Sequence, residues 1–171
     1  MITVVNSKLF IPLQVKGMVR NMDIAQVKDS EVKQYIVFKI GEDEYGVDSL
    51  KITTIDRMKP ITRVPKTPSY IKGVINLRGD IIPVMDLRLK FNLDEISETE
   101  ETRIIILKLE EGAFGVIVDQ VVETVQLSED QIESTTNLFN GSISEYILGI
   151  GKFNGNIVRL LNFEKMTKFI E

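Results

Sequence analysis

The chain has 171 residues and a net charge of −4, with a pI near 5.1. This length suits one ordinary domain or two small lobes that share a core, and the acidic balance argues against a surface that follows nucleic-acid phosphates. The sequence contains neither cysteine nor histidine. Disulfides, cysteine–metal sites and histidine-based catalysis are therefore excluded, and no apolar run is long enough for a transmembrane helix.

The first 30 residues are predicted to be an N-terminal extension. They mix apolar and basic side chains, differ from the rest of the chain, and lack the long apolar stretch and cleavage site of a secretory signal. We predict that residues 1–30 are either a disordered tail or an upstream extension, with translation starting at Met18 or Met22. The folded domain is then expected to occupy residues 31–171.

The remainder of the chain contains an internal repeat. Residues 37–47 resemble residues 106–116 at an offset of 69, and residues 70–79 resemble residues 146–155 at an offset of 76. A repeat at fixed spacing indicates a duplicated structural unit. Each copy predicts two β-hairpins and a short helix, because β-branched and aromatic residues flank turns rich in Gly, Asn and Asp. We therefore predict an all-β protein made of two pseudo-symmetric small barrels.

The first strand of each copy is apolar on both faces. In the first copy, Ile36, Phe38 and Ile40 alternate with Tyr35 and Val37. A strand that is apolar on both faces is covered on both. We predict that one face joins the core of its own lobe and that the other partly contacts the second lobe.

These patterns also predict the boundaries of the barrels. The first barrel is expected mainly within residues 31–92, and the second mainly within residues 103–171. The acidic segment at residues 93–102 is most simply a solvated linker. Residues at helical spacing predict a C-terminal helix; they are Phe163, Met166, Phe169 and Ile170.

The ends of the predicted elements have recognisable signals. Pro83 cannot donate to a sheet ladder, so its strand is predicted to lie at an edge or a bulge there. Asp86 and Asn162 are predicted helix N-caps. Asp86 and Asp80 could also bind magnesium, and the acids of residues 42–44 could bind a cation, but a helix cap and a solvated turn are the simpler interpretations. Because no base or phosphate-binding motif accompanies them, we predict no enzymatic activity, no cofactor and no metal.

Arg78 is the clearest difference between the two copies. The second copy has Asn154-Gly155, a strong signal for a tight turn, where the first has Arg78-Gly79. A residue that departs from the local preference is a candidate for a role elsewhere, and a guanidinium suits pairing with carboxylates or carbonyls. Two interpretations stay open: Arg78 contacts a partner, or it braces the two lobes of its own chain.

A half-apolar strand at residues 50–55 is the second candidate for a docking surface. Ile52 and Thr54 are predicted to share one face. For Ile52 and Ile55, burial in the core and exposure in a surface groove both remain possible.

Residues 73–88 resemble the signature of the CheW family of bacterial chemotaxis coupling proteins, and residues 41–48 and 67–72 fit the same pattern. The resemblance runs from about residue 31 to residue 171. It implies two five-stranded SH3-like barrels packed together, with short helices that include a C-terminal one. It also implies a non-catalytic adaptor in the cytoplasm, recruited beneath membrane chemoreceptor arrays, that couples the receptors' cytoplasmic tips to the regulatory domain of the histidine kinase CheA.

The resemblance implies a set of partner-binding residues: Gly73, Arg78, Ile52, Thr54, Ile55, Thr102 and Arg103. Thr54 and Arg103 depart from the family pattern, in which many members have an acid and an apolar residue. The same domain also occurs inside the kinase and in coupler–receiver fusions, but a chain of this length without histidine favours a standalone coupler. The alternative function is a double barrel that binds a small ligand or an oligonucleotide, which the acidic charge disfavours.

Overall fold

The structure is a computed structural model that describes most of the repeat region and two short N-terminal strands. The described parts are residues 30–134, residue 141, residues 143–168, β1 (Thr3–Val5) and β2 (Lys8–Phe10). β1 and β2 pair in antiparallel orientation. The rest of the predicted N-terminal extension lies outside the described residues, as do Phe169 and Ile170 of the predicted C-terminal helix.

β-branched and aromatic residues form strands throughout the described part of the repeat region. The first copy contains β3 (Val32–Ile40), β4 (Asp43–Asp48), β5 (Ile52–Arg57), β6 (Ile71–Leu77) and β7 (Asp80–Asp86). The second contains β8 (Arg103–Leu109), β9 (Gly112–Val118), β10 (Gln120–Ser128), β11 (Ile132–Glu133), β12 (Ile147–Phe153) and β13 (Asn156–Leu161). Each copy ends in a short helix: α1 (Leu87–Lys90) and α2 (Phe163–Thr167). Short 3-10 turns occur at Ser49–Lys51, Glu129–Gln131 and Ser144–Tyr146.

The strands β3–β13 form two sheets, which we call lobe 1 and lobe 2. Lobe 1 has five strands in the order β5-β8-β9-β7-β6, and lobe 2 has six in the order β10-β3-β4-β13-β12-β11. The predicted all-β fold with two related lobes is confirmed. The sixth strand of lobe 2 is the two-residue β11, and its counterpart in lobe 1 is a single bridge between Thr62 and Val74.

Each lobe takes one hairpin from the other copy of the repeat. The β3–β4 hairpin belongs to lobe 2 and the β8–β9 hairpin belongs to lobe 1. Both join through a parallel strand pair, in which Gly46 lies opposite Leu160 and Gly115 lies opposite Val84. The predicted barrel boundaries are therefore not the boundaries of the two lobes. The sequence does not reveal this exchange, because the two hairpins are alike and their pairing with distant strands leaves no local signal.

The hydrophobic core is continuous between the lobes. A central cluster contains Phe38 of lobe 2 together with Leu107 of lobe 1. The opposite faces of the same strands pack into their own lobes, with Val37 in the lobe 2 cluster and Ile106 in the lobe 1 cluster. The prediction that each first strand is covered on both faces is confirmed. Because strands of both lobes build the central cluster, separating the lobes would expose it.

The helix caps match the sequence prediction, whereas the placement of Pro83 does not. Asp86 Oδ1 accepts a hydrogen bond from Arg88 N at 2.9 Å, and Asn162 Oδ1 accepts one from Lys165 N at 3.0 Å. Pro83 lies in β7, which is flanked by β9 and β6 and is therefore not an edge strand. Pairing between β7 and β9 begins only at the next residue, so the missing N–H of Pro83 leaves that parallel ladder intact.

Candidate functional site

The described residues contain no group of three or more Asp, Glu, His or Cys side chains that could hold a metal ion. Among the described helices, none is both long and apolar enough to cross a membrane. The predicted partner-binding residues instead lie in lobe 1, on or beside its two edge strands, β5 and β6, and near the start of β8. Gly73 and Arg78 are on or beside β6, and the others are on β5 or near the start of β8.

Arg78 occupies the tight turn between β6 and β7. Its φ is 53° and that of Gly79 is 90°, which closely matches the 48° and 77° of Asn154 and Gly155 in lobe 2. Arginine is less suited than asparagine to this left-handed region, so the turn carries a small local cost. Asn76 offsets part of it, because its Oδ1 accepts a hydrogen bond from Gly79 N at 2.9 Å.

The Arg78 side chain lies at the protein surface. It is exposed, and it forms no hydrogen bond or ion pair with the part of the chain that the structure describes. Among the described residues, Arg78 therefore makes no contact that would brace the two lobes. A strained turn that presents an unpaired guanidinium is available for contact with another molecule.

An apolar groove lies near this turn, at the end of lobe 1. The cleft has a volume of about 370 Å³, and its mainly apolar lining includes Ile81, Pro83, Leu109 and Phe114 together with the acidic Glu111. Ile81 is 64% exposed. Apolar anchors and arginine are both enriched at the centres of protein–protein interfaces. We call Arg78, Ile81 and this groove the lobe 1 end.

The equivalent end of lobe 2 is filled by a charged pair. At the offsets of 76 and 69, Arg159 corresponds to Pro83 and Asp43 corresponds to Gly112. Arg159 Nη1 lies 3.1 Å from Asp43 Oδ1, and the guanidinium carbon lies 5.8 Å from the centre of the Tyr45 ring. Where lobe 1 has a proline and a glycine, lobe 2 therefore has an ion pair whose guanidinium lies over an aromatic ring.

A second substitution adds to this difference. Phe91, which follows α1, packs against Tyr45 with 5.3 Å between the ring centres. The equivalent of Phe91 is Thr167, whose smaller side chain lines the groove of lobe 1. Sequence reasoning missed the groove. A usable signal was the pair Ile81-Ile82, since neighbouring residues of a strand face opposite sides and one of them must point outward.

Gly73 holds the β5–β6 connection against β6. Its φ is 144°, and a Cβ at this position would lie 2.1 Å from the backbone oxygen of Thr62. Thr62 and Val74 exchange two backbone hydrogen bonds of 2.9 and 2.8 Å directly beside this contact. Gly73 is buried, so this geometry gives it a packing role. A direct contact between Gly73 and a partner stays a prediction.

The predicted residues of β5 are divided by a β-bulge. Ile52 pairs with Leu107 and Thr54 pairs with Ile106, so the register shifts by one residue between them. The bulge places Ile52 and Thr54 on opposite faces, and the prediction that they share a face is wrong. Ile52 and Ile55 both pack, partly buried, against the central cluster. They therefore belong in part to the core and in part to the surface.

Thr102 and Arg103 lie where the acidic segment enters β8. Thr102 is buried, and its Oγ1 accepts a hydrogen bond from Thr99 N at 2.8 Å. Arg103 Nη1 donates to the backbone oxygens of Glu100 and Thr102 at 2.7 and 2.8 Å. Both side chains thus stabilise the end of the segment. Any contact that they make with a partner remains a prediction.

The acidic segment itself is attached to lobe 1. The Lys72 ammonium contacts the Glu95 carboxylate, and Arg88 Nη1 donates to the backbone oxygen of Asp94 at 3.3 Å. The residues are mostly exposed, as expected for a solvated linker. They nevertheless follow one side of the lobe and line a cleft there.

An ion pair that the sequence did not reveal links the lobes. Arg88 donates to Asp119 through Nε at 2.8 Å and through Nη2 at 2.7 Å, and Asp119 Oδ2 accepts from Gly41 N at 2.8 Å. The hydrogen bond to Asp119 raises the pKa of the Arg88 guanidinium. Helix α1 of lobe 1 is thereby connected to the β3–β4 turn of lobe 2.

The cap of α1 is an acid in an unfavourable environment. Burial raises the pKa of Asp86 above its usual value, although hydrogen bonds from Arg88 N and Leu89 N oppose the shift. Lys72 also lowers the pKa of Asp86, and Glu95 raises it slightly. The Asp86 side chain therefore caps the helix at a position where burial raises its pKa.

These features define a two-lobed all-β protein with an exposed arginine turn and an apolar groove at one end. Residues 34–171 match the family model described as "CheW-like domain". The chain therefore belongs to this family, whose members are scaffold proteins of chemotaxis rather than enzymes.

Individual relatives agree with this assignment. The chain is 35% identical to the chemotaxis protein CheW of Klebsiella aerogenes over 78% of this chain and 81% of that protein. It is 35% identical to the CheW of Helicobacter pylori, over 84% and 86% of the two chains. The crystal structure of the scaffolding protein TtCheW from Thermoanaerobacter tengcongensis superimposes with a TM-score of 0.74 at 31% identity, covering 80% of this chain and 92% of that one.

Proposed function

We propose that the chain is a non-catalytic adaptor that couples the cytoplasmic tips of chemoreceptors to the histidine kinase CheA. Membership of the CheW-like family supports a scaffolding role, and the two-lobed fold offers more than one docking surface. The protein would act in the cytoplasm, where it is recruited beneath the receptor arrays. Its contribution is to hold two partners together.

The lobe 1 end is the surface that we assign to the regulatory domain of the kinase. The observation that carries this assignment is the unpaired Arg78 in a left-handed turn near the 64% exposed Ile81. Ile81 supplies an apolar anchor, and the Arg78 guanidinium supplies directional hydrogen bonds to carboxylates or carbonyls of the partner. Lobe 2 keeps an exposed isoleucine, Ile157, but has Asn154 in place of Arg78, and it has the Arg159–Asp43 pair where lobe 1 has Pro83 and Gly112.

The receptor is assigned to the surface around β5. Ile52 and Ile55 reach the central cluster from this side while remaining partly exposed, and Leu50 in the preceding turn is 89% exposed. An apolar helix tip is the kind of partner that such a surface fits. Each contact needs to bury only about 800 Å² per partner, and weak contacts become firm when many are tethered in one lattice.

Arg78→Ala tests the proposed function. The variant is expected to keep the melting temperature of the native chain, since Arg78 has no partner among the described residues, and to bind the purified kinase regulatory domain at least about tenfold more weakly. Arg57→Ala is the matched control, because Arg57 is another exposed arginine of lobe 1. A normal affinity in a destabilised Arg78→Ala protein would contradict the assignment.

The adaptor role itself is tested with both partners present. Purified receptor fragment, kinase fragment and the chain are expected to co-elute as a ternary complex. Binding of a small ligand or an oligonucleotide without formation of this complex would favour the alternative double-barrel function.

A further inference from the structure

The connection between β5 and β6 carries a group of positive charges. Residues 58–70 contain three basic side chains and no acidic one, although the whole chain has a net charge of −4. The corresponding connection of the other copy, residues 129–146 between β10 and β12, contains four acidic residues and no basic one. The two copies therefore carry opposite charge at this place, and the basic side chains belong to lobe 1.

Lys66 occupies a turn position that usually favours glycine or asparagine. Its φ is 63°, and it follows Pro65 in a tight turn that Thr67 closes by donating a hydrogen bond from Oγ1 to the backbone oxygen of Val64 at 3.0 Å. A lysine that departs from the local preference is a candidate for a role elsewhere. Pro65 and Pro68 restrict the backbone on both sides, so less chain freedom is lost when this turn binds a partner.

A cleft of about 380 Å³ lies beside this turn. Its lining includes three cations, Arg63, Lys66 and Lys72, and the apolar Leu89. Arg63 and Lys66 are exposed, and neither side chain forms a hydrogen bond or ion pair with the residues that the structure describes. The Lys72 ammonium contacts the Glu95 carboxylate, which lines the same cleft. Within the described structure, two of the three cations thus remain available for an external anion.

The chain's own acidic segment shows which kind of group this surface binds. Residues 93–102 contain five acidic residues, and one of them, Glu95, lies at the cleft in contact with Lys72. A carboxylate on a peptide segment is therefore already bound by one of the three cations. The segment leaves Arg63 and Lys66 unpaired, and their charges suit further carboxylates.

We propose that this cleft binds an acidic peptide segment of another protein, whose carboxylates pair with Arg63 and Lys66 while Lys72 stays with Glu95. An extended anionic surface suits the cleft less well, because the acidic residues of 93–102 lie beside it and like charges repel within a Debye length of about 8 Å. A short peptide can reach the cations without covering those acids. This inference is independent of the kinase and the receptor, which are assigned to the lobe 1 end and to β5.

Fluorescence anisotropy with the full chain tests this proposal. The probes are a labelled short peptide rich in glutamate and the same peptide with glutamine in place of each glutamate. The acidic peptide is expected to bind at least about tenfold more tightly than the neutral one, and less tightly as the salt concentration rises. Arg63→Gln with Lys66→Gln is expected to weaken binding of the acidic peptide about fivefold or more and to keep the native melting temperature, since neither side chain has a partner among the described residues.

The matched control is Lys165→Gln with Lys168→Gln, which removes the same charge from two exposed positions at the end of lobe 2. Its affinity for the acidic peptide is expected to equal that of the native chain. Equal losses in the two double variants, or equal binding of the two peptides, would overturn the proposal. Vesicles that contain phosphatidylserine test the competing class of partner. If they bind the native chain but not Arg63→Gln with Lys66→Gln, and the acidic peptide does not bind, the cleft recognises lipid headgroups and the proposal is wrong.

Backbone amide shifts locate the bound peptide. On addition of the acidic peptide, signals of residues 63–67 are expected to shift, whereas those of residues 78–81 and 143–148 are expected to stay unchanged. Shifts confined to residues 78–81 would place the peptide at the lobe 1 end and would overturn this inference. That result would leave the kinase assignment standing, so the two proposals fail separately.

Discussion

The two lobes share their backbone plan and differ at their outer ends. A register shift occurs in β5 between Ile52 and Thr54 and at the equivalent place in β10 between Val121 and Glu123. The ends diverge in their side chains: lobe 1 has an open apolar groove, whereas lobe 2 has the Arg159–Asp43 pair. The two copies thus share their pairing of strands, while a few different surface residues leave a groove at the end of lobe 1 and an ion pair at the end of lobe 2.

The largest expected effect concerns the two glycines at equivalent positions of β6 and β12. A Cβ on Gly73 would lie 2.1 Å from a backbone oxygen at a φ of 144°, whereas a Cβ on Gly149 would lie 2.7 Å from a side-chain methyl of Ile132. Gly73→Ala is therefore expected to lower the free energy of unfolding by about 3–4 kcal/mol, and Gly149→Ala by about 1–2 kcal/mol. Urea unfolding measures both. Equal losses of unfolding free energy in the two variants would contradict the predicted difference between the glycines.

The next effect compares the two contacts that join a helix to the opposite lobe. The Arg88–Asp119 pair is only 17% and 20% exposed, and its closest N–O distance is 2.7 Å, whereas Glu164 lies 3.5 Å from Lys51 at exposures of 22% and 38%. Arg88→Ala is expected to cost about 2 kcal/mol, because it leaves Asp119 without its charged partner. Glu164→Ala is expected to cost about 0.5 kcal/mol. Thermal unfolding measures both costs. A larger loss of stability in Glu164→Ala than in Arg88→Ala would contradict this order.

A matched pair of isoleucines tests the difference between the lobe ends. Ile81 and Ile157 occupy equivalent positions and are 64% and 51% exposed. Ile81→Asp is expected to weaken binding of the kinase regulatory domain by about 1.4 kcal/mol or more, a factor of ten, because it places a charge beside the open groove. Ile157→Asp is expected to leave the affinity unchanged. Titration calorimetry with the kinase fragment distinguishes the two, and equal losses would remove the assigned role of lobe 1.

The smallest effect concerns Asp86. Burial raises the pKa of this carboxyl, so the native state holds a proton more tightly than the unfolded state does, and stability falls as the pH rises through the interval between the two pKa values. Asn162 shows that asparagine can cap the equivalent helix. Asp86→Asn is therefore expected to stabilise the protein at neutral pH by less than about 1 kcal/mol, with the gain disappearing in acid. Melting temperatures of the two proteins measured across a range of pH test this prediction. If Asp86→Asn still stabilised the protein below the pKa of the carboxyl, burial of a charged Asp86 would not be the cause of the effect.

Local features of the fold could be predicted because their signals are local. The Asn154-Gly155 turn, the caps at Asp86 and Asn162 and the strands covered on both faces each follow from a few neighbouring residues. Other features depend on distant partners. The hairpin exchange, and the bond from Arg88 to Asp119 across 31 residues, leave no mark on the neighbouring sequence.

The candidate site shows the same division. The poor fit of arginine to its turn marked Arg78 as unusual, and the structure shows that its side chain is exposed. The groove beside it was not predicted, since it depends on Pro83, Phe114 and Thr167 meeting from three separate elements. The bulge in β5 reversed the expected faces, because one added residue inverts the alternation of a strand.

Chemical-shift mapping of the full chain with the purified kinase regulatory domain tests the central claim most directly. The account predicts that backbone amide signals of residues 78–81 shift on binding and that those of residues 154–157, the equivalent turn, do not. Shifts confined to residues 154–157, or equal shifts at both turns, would contradict the proposal that lobe 1 docks the kinase through its open groove.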